Sequence, residues 1–211
     1  LYPQADVQIK GFEKTDYPND FFDVAIGNVP FGQYKVADKQ YDKNNFLIHD
    51  YFFAKTLDKV RPGGVVAFIT SKGTMDKASP EVRRYLAQRA DLLGAGTEVT
   101  SDILFFQKRD RMVEREPDWV HLGEDADGIA MNAYFAEHPE QIVGKMEMVS
   151  GPYGMESTCK ADNSRPFAEQ LAKALQNITG QIDTIDLDEE LADEMSRQSI
   201  PADPSVKNFS Y

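Results

Sequence analysis

Apolar residues fall into short runs separated by polar turns, and the runs carry two different periods. Ala5-Asp6-Val7-Gln8-Ile9-Lys10 alternates and predicts a short strand. Residues 11–20 read as a loop, with Tyr17-Pro18-Asn19-Asp20 as turn chemistry. Residues 22–26 are a compact apolar run of the kind buried in parallel sheets. Residues 32–45 are polar, carry lysines at 35, 39 and 43 and show no period, which predicts a mobile loop. Phe46, Phe53, Leu57 and Val60 recur at helical spacing, so a helix is expected from an Asn45 cap to about Val60. Arg61-Pro62-Gly63-Gly64 ends it, because proline cannot continue the hydrogen-bond ladder and glycine accepts a left-handed cap. Residues 65–70 predict a second buried strand, Ser79-Pro80-Glu81 opens a further helix, and residues 91–95 and 100–107 predict two more strands.

Strand alternating with helix is the rhythm of a parallel sheet covered by helices. From Arg111 onward the rhythm breaks up. Residues 119–122 predict an edge strand, 134–143 a short helix, and 150–165, rich in Gly, Ser and Pro, a linker. Residues 166–178 are amphipathic, with Phe167, Leu171, Leu175 and Ile178 on one face. A second helix is expected from Asp186, with Glu189 completing a capping box and Leu187, Leu191 and Met195 as its apolar positions. The tail at 200–204, with Pro201 and Pro204, reads as extended. The expected division is a partial core over 1–111, an extension packed on it over 112–150, a linker at 151–165 and an acidic helical segment with its tail over 166–211.

The 211 residues suffice for one good-sized domain plus an appendage. One cysteine, Cys159, rules out an internal disulfide framework and fits a reducing compartment, so a cytoplasmic location is expected. No apolar run approaches the ~20 residues needed to span a bilayer, and no His, Cys or acidic cluster has metal-ligand spacing. The start, Leu1-Tyr2-Pro3-Gln4, has no Met and no signal pattern and reads as the middle of a longer chain. The net charge of −12 argues against a simple basic nucleic-acid binder. Its distribution matters more: residues 1–120 carry 18 acidic and 17 basic side chains, residues 121–211 carry 17 and 6. The first part can meet phosphate through a local patch; the second is repelled by it and better suits a protein partner or solvent.

The chemistry concentrates in Asn28-Val29-Pro30-Phe31, which follows the apolar run Asp23-Val24-Ala25-Ile26-Gly27. In open parallel sheets, ligands bind beyond the C-terminal ends of the strands. The exocyclic amine of adenine is a poor nucleophile, because its lone pair is delocalised into the ring. Two acceptors for its N–H groups favour a more tetrahedral nitrogen and aim that lone pair. Asn28 Oδ1 and the Val29 carbonyl supply two acceptors, and Pro30 holds Val29 extended. Phe31 offers a stacking face for a base that has left the duplex, worth ~1–3 kcal/mol.

Asn28-Val29-Pro30-Phe31 resembles the Asn-Pro-Pro-Tyr/Phe motif of amino-group DNA methyltransferases. The approach over 22–28 and the run from Leu57 to Ile69 are similar to the same family. More narrowly, residues 27–73 and 96–104 resemble the methylase part of large helicase–methylase fusion proteins of bacterial mobile elements. The resemblance implies a Rossmann-like α/β sheet, incomplete at the N-terminus, with a C-terminal helical extension. It implies S-adenosylmethionine as cofactor, DNA as substrate, a helicase domain in the same parent chain and a bacterial source. Asn28, Val29, Pro30 and Phe31 become the catalytic set, Phe12 and Glu13 the cofactor contacts, and Lys35, Lys39, Lys43 and Lys72 the nucleic-acid contacts.

Two departures stand out. Val29 replaces the first proline of the usual motif, so a less rigid loop is expected. The family's glycine-rich cofactor loop is missing and belongs upstream of residue 1, which predicts that the chain alone is inactive. The fusion relatives also imply a strand and loop of about a dozen residues between Ala95 and Gly96, which here join directly.

The resulting expectation is an adenine-N6 DNA methyltransferase. The alternatives are a catalytically idle methyltransferase-like module that docks DNA or scaffolds a helicase, and an unrelated doubly wound domain. Cytosine N4 methylation uses similar chemistry, usually with Ser or Asp leading the motif, and Asn28 tilts the reading toward adenine. His49, beside Asp50, reads as surface or structural; Ser71 and Lys72 follow the second central strand and share an edge with Asn28.

Overall fold

A computed structural model describes residues 5–98, 101–151 and 154–182. Residues 5–10 form no strand, despite their alternation. The second helix expected from Asp186 and the tail at 200–204 lie outside the described residues.

A four-stranded sheet organises the chain. Its strands are β1 (Phe22–Asn28), β2 (Val60–Ser71), β3 (Ala90–Glu98) and β4 (Ser101–Lys108), in the order β1-β2-β4-β3. β1 and β2 are parallel, while β4 runs antiparallel to both β2 and β3. The α/β class is therefore as expected, but the sheet is mixed: β3 turns straight back into β4, and β4 slots between β2 and β3. A short hairpin can only return antiparallel, whereas a parallel return needs a crossover. β3 runs unbroken through the Ala95–Gly96 junction, pairing Ala95 with Leu104 and Gly96 with Ile103.

Helix α1 (Ile48–Lys59) makes the crossover from β1 to β2 and buries Phe53 and Leu57 against the sheet. It starts three residues later than the expected Asn45 cap. Asn45 instead takes a left-handed conformation, φ 57°, closing a short turn at Asp42–Asn44. β2 begins at once after α1, so Arg61-Pro62-Gly63-Gly64 is a bulge inside β2 rather than a loop. The register shows it: Phe22 faces Val60 but Val24 faces Val65. Gly63 sits at φ +78°, and a Cβ on Gly64 would lie 2.6 Å from the Asp23 carbonyl oxygen, so both positions favour glycine. Arg61 Nε closes the bulge on Asp23 Oδ1 at 2.7 Å.

Beyond β2 come the single turn α2 (Gly73–Asp76) and helix α3 (Glu81–Ala87). Phe53, Val66, Phe68, Leu86, Leu104, Phe106 and Trp119 form one core on this face of the sheet. Trp119 belongs to a helical turn at Asp118–Val120 rather than to the expected strand, and β5 (Leu122–Glu124) follows it. β5 pairs with β6 (Ala130–Asn132), and α4 (Ala133–Glu137) and a turn at Pro139–Gln141 replace the single helix expected over 134–143. Asn132, fully buried, donates to the Met75 and Trp119 carbonyls at 2.9 Å each and ties this extension to α2.

The stretch read as a linker contains a hairpin strand. β7 (Lys145–Gly151) and β8 (Gly154–Lys160) pair antiparallel, with Cys159 buried. Helix α5 (Phe167–Leu175) follows, and its C-terminal side lies along β3: a Cβ on Gly94 would meet Ile178 at 2.6 Å. Of the four apolar positions expected to line one buried face, Phe167 and Leu175 are exposed.

Candidate active site

Asn28 ends β1, opposite Ile69 of β2, so its side chain stands at the C-terminal edge of the parallel pair. It is exposed, and among the described residues its side chain makes no hydrogen bond. Val29 behind it is buried, and its N–H donates to the Ile69 carbonyl at 3.0 Å. A proline at this position has no N–H to give. The substitution expected to loosen the turn therefore ties it to β2. Pro30 and Phe31 are exposed, Phe31 at 44%. An acceptor side chain, a carbonyl held by its neighbours and an open aromatic face thus stand in one turn.

The following segment is anchored, contrary to the mobile loop expected over 32–45. The Tyr34 carbonyl accepts from the Ile48 N–H at 2.9 Å, at the start of α1. Asp38 accepts from the Tyr51 hydroxyl at 2.8 Å and from Lys55 Nζ at 3.1 Å. Burial pushes the Asp38 carboxyl up, but the bonds from Tyr51, Lys55 and the Gln40 N–H outweigh it and hold the pKa below the ordinary value. Burial and the Asp38 carboxylate raise the Tyr51 hydroxyl. Tyr41 is buried and donates to Asp58 at 2.6 Å. Lys35, Lys39 and Lys43 are all exposed, and Lys35 Nζ bonds Asn45 Oδ1.

The remaining expected contacts are placed elsewhere. The Phe12 ring packs on α1, tilted against Phe52 at 4.7 Å between centroids and edge-on to Tyr51 at 6.0 Å, with Lys55 Nζ 5.2 Å from its centre. The Glu13 carboxylate folds back over Gly11, where a Cβ would lie 2.2 Å from Oε1. Lys72 Nζ bonds the Ser157 carbonyl of β8, so its charge serves the hairpin rather than a free phosphate path.

Two buried groups lie near the same edge: His49, which the sequence reads as surface or structural, and Asp102, which it does not single out. His49 is 2% exposed, with neither ring nitrogen hydrogen-bonded and Nε2 3.6 Å from Asp50 Oδ1. Burial lowers its pKa, outweighing the pull of Asp50. Asp50 itself is held by Lys77 at 2.7 Å. Asp102 on β4 lies between Thr70 and Thr97, 1% exposed, with no hydrogen bond to either carboxylate oxygen. Burial, and then the Asp76 charge, push it up to about 8, against the opposing pull of Thr97 and Lys72. The alternation Asp102, Leu104, Phe106 is the signal that could have found it, since it puts the acid on the core face. No group of three or more His, Cys, Asp or Glu residues suited to a metal occurs among the described residues.

Residues 4–93 match the Eco57I restriction-modification methylase family. The matched segment contains β1, α1, β2 and the Asn28–Phe31 turn, and it supports a methyltransferase. The chain is also similar to Defense against restriction protein B of Escherichia phage P1, at 32% identity in a 135-residue alignment that covers 56% of this chain and 6% of that protein. It thus spans a small part of that relative. Among solved structures, a candidate class I S-adenosylmethionine-dependent methyltransferase from Listeria monocytogenes aligns at 18% identity and TM-score 0.38, over 49% of this chain and 36% of the other. The ATP-dependent Type ISP restriction-modification enzyme LlaBIII bound to DNA aligns at 18% and 0.31, over 43% and 9%. No helix among the described residues is long and apolar enough to cross a membrane.

Proposed function

We propose that the intact protein transfers a methyl group from S-adenosylmethionine to the N6 amine of adenine in DNA. The observation that carries this reading is the Asn28–Phe31 turn: an exposed, unengaged amide beside a carbonyl fixed by the Val29 N–H···Ile69 bond and an open phenyl ring. Asn28 Oδ1 and the Val29 carbonyl accept the two N–H groups of the extruded amine and turn its lone pair out of the ring plane. Phe31 stacks on the base and fixes its tilt. Alignment of this kind is worth about 7–11 kcal/mol of barrier at its best, with no strong acid or base required. Lys35, Lys39 and Lys43 supply positive charge to the DNA backbone close to the turn. The parent chain also carries a helicase domain that delivers the DNA, as the resemblance to helicase–methylase fusion proteins implies.

The described residues do not form a cradle for the methyl donor: the Phe12 ring is spent on α1, and Glu13 folds onto Gly11. They hold the acceptor side of the reaction, and the chain alone is expected to be inactive. The same observation favours a second reading, an idle methyltransferase-like module that docks DNA beside a helicase.

One experiment separates the two. The intact parent protein, wild type and Asn28→Ala, is incubated with unmethylated DNA and methyl-labelled S-adenosylmethionine, and the DNA is digested to nucleosides. Label in N6-methyladenine, reduced by about 10²-fold or more in the variant, is expected. DNA binding with neither label nor donor binding would establish the idle module instead.

A further inference from the structure

Phe31 is not alone. Three residues on, the Tyr34 ring is 53% exposed. It lies across Gly32: a Cβ there would sit 2.4 Å from Tyr34 Cε1 and 2.6 Å from Cδ1. One side of the ring is thus backed by main chain and the other is open. Its backbone is fixed by the Ile48 N–H···Tyr34 O bond at the mouth of α1, so the ring rides on a rigid element. The rings of α1 and its neighbours, such as Phe12, Tyr41, Phe46, Tyr51 and Phe52, pair with other rings; among the described residues Phe31 and Tyr34 do not.

Next to Tyr34 the chain opens a cleft of about 440 Å³, within the ~300–1,000 Å³ range of sites that hold small organic groups. Lys35, Asn45 and Asp42 stand exposed at its mouth, and half-buried Phe46 and buried Tyr51 lie deeper. A cation, an amide and an acceptor above aromatic surface are the groups that meet a phosphate, a base edge and a base plane. Of the two acids of the loop, Asp38 is paired inward with Tyr51 and Lys55, and Asp42 accepts from the Asp38 N–H at 2.8 Å. Lys35, Lys39 and Lys43 of the same loop are all exposed.

We propose that Tyr34 is a second stacking face, which holds the nucleotide adjacent to the target base in an unpaired stretch of DNA, with Lys35 on that nucleotide's phosphate. The inference rests on the DNA-methylation reading for what lies on Phe31, but its test does not depend on methyl transfer. Two adjacent bases stack on two rings separated by Gly32 and Gln33, and the strand then continues past the Lys35–Asn45 pair. The substrate class is consequently DNA that is single-stranded, or locally melted, over at least two nucleotides.

The test measures binding of a fluorescent single-stranded deoxyoligonucleotide of mixed sequence to the intact parent protein, without methyl donor. Tyr34→Ala is expected to weaken binding by about 5- to 100-fold. Tyr34→Phe restores it, since the plane and not the hydroxyl does the work. An oligonucleotide lacking the base beside the target adenine should bind wild type and Tyr34→Ala equally, which a merely structural defect would not produce. Equal affinity of Tyr34→Ala for the complete oligonucleotide, a loss that persists without the neighbouring base, or no binding by wild type overturns the proposal. Tyr34-dependent binding without any methyl transfer would leave this site standing and remove the enzymatic reading. Asn28-dependent methylation with binding indifferent to Tyr34 would do the reverse.

Discussion

Asp102 and His49 are buried with unbonded polar atoms, and they bend the stability profile from opposite ends. Asp102 keeps its proton in the folded state up to about 8, whereas the unfolded chain releases it near the ordinary value of 3.8. The folded state binds the extra proton in between, so stability falls as pH rises from about 4 to about 8 and is flat above. His49 has a lowered pKa and stays neutral when folded, so stability falls as pH drops below 6.5. Between 6.5 and 8 the Asp102 effect is isolated from that of His49. Urea midpoints should decline across that window in wild type and decline less in Asp102→Asn; identical slopes would show that Asp102 is not the group responsible. The core position of Asp102 was legible in its alternation with Leu104 and Phe106. Its lack of partners was not, because that depends on which residues β2 and β3 place opposite it. Asn28-Val29-Pro30-Phe31 was legible as the turn that ends β1, because the apolar run over 22–28 leads straight into it. Tyr34 was not, because its position comes from a ring lying on a glycine.

At the scale of elements, Arg83 joins three pieces that the sequence shows as separate. It is 1% exposed, and its guanidinium donates to the Val120 carbonyl at 2.7 Å and the Lys77 carbonyl at 2.8 Å, joining α3 to the Trp119 turn and to the residue after α2. Removing it strands buried carbonyls and leaves a void, so Arg83→Ala should cost about 2–5 kcal/mol. Arg84, the next residue, pairs with Glu116 at 2.6 Å on an open surface, and its removal should move the denaturation midpoint little. Equal losses at the two positions in chemical denaturation would contradict this account. Element type was legible where one period ran undisturbed, as in α1 and in the central run of β2. Direction was not: nothing in residues 101–108 says that the strand runs backwards, since that follows from the short return after β3. The β7–β8 hairpin was hidden by its glycines and serines, which mark turns and edges as readily as linkers. The pairing of half-buried Met146 with buried Cys159, and of Lys145 with Lys160, only acquires meaning once the register is known.

Across the whole molecule the sheet is covered unevenly. One face carries the core with α1 and α3, while on the other Val24, Ile26 and Ile69 remain exposed at 39%, 81% and 38%. β1 is also an edge strand among the described residues, paired only with β2. An open strand edge with apolar side chains invites pairing with another chain. The chain on its own should scatter light increasingly with concentration, and Ile26→Lys should suppress this; scattering unchanged by the lysine would move the contact elsewhere. The division of charge was legible at once, with the acidic side chains concentrated after residue 120 and the Asn28 turn in the near-neutral first 120 residues.

The strand order also carries a history. β3 and β4 lie only two residues apart along the chain, so they can meet within microseconds of collapse. β2 meets β4 across 30 to 42 residues, and β1 meets β2 across 38 to 41, so both pairings are long-range. The strand that presents Asn28 is held by one neighbour alone among the described residues, so the proposed chemistry sits on a strand that can peel from the sheet's edge.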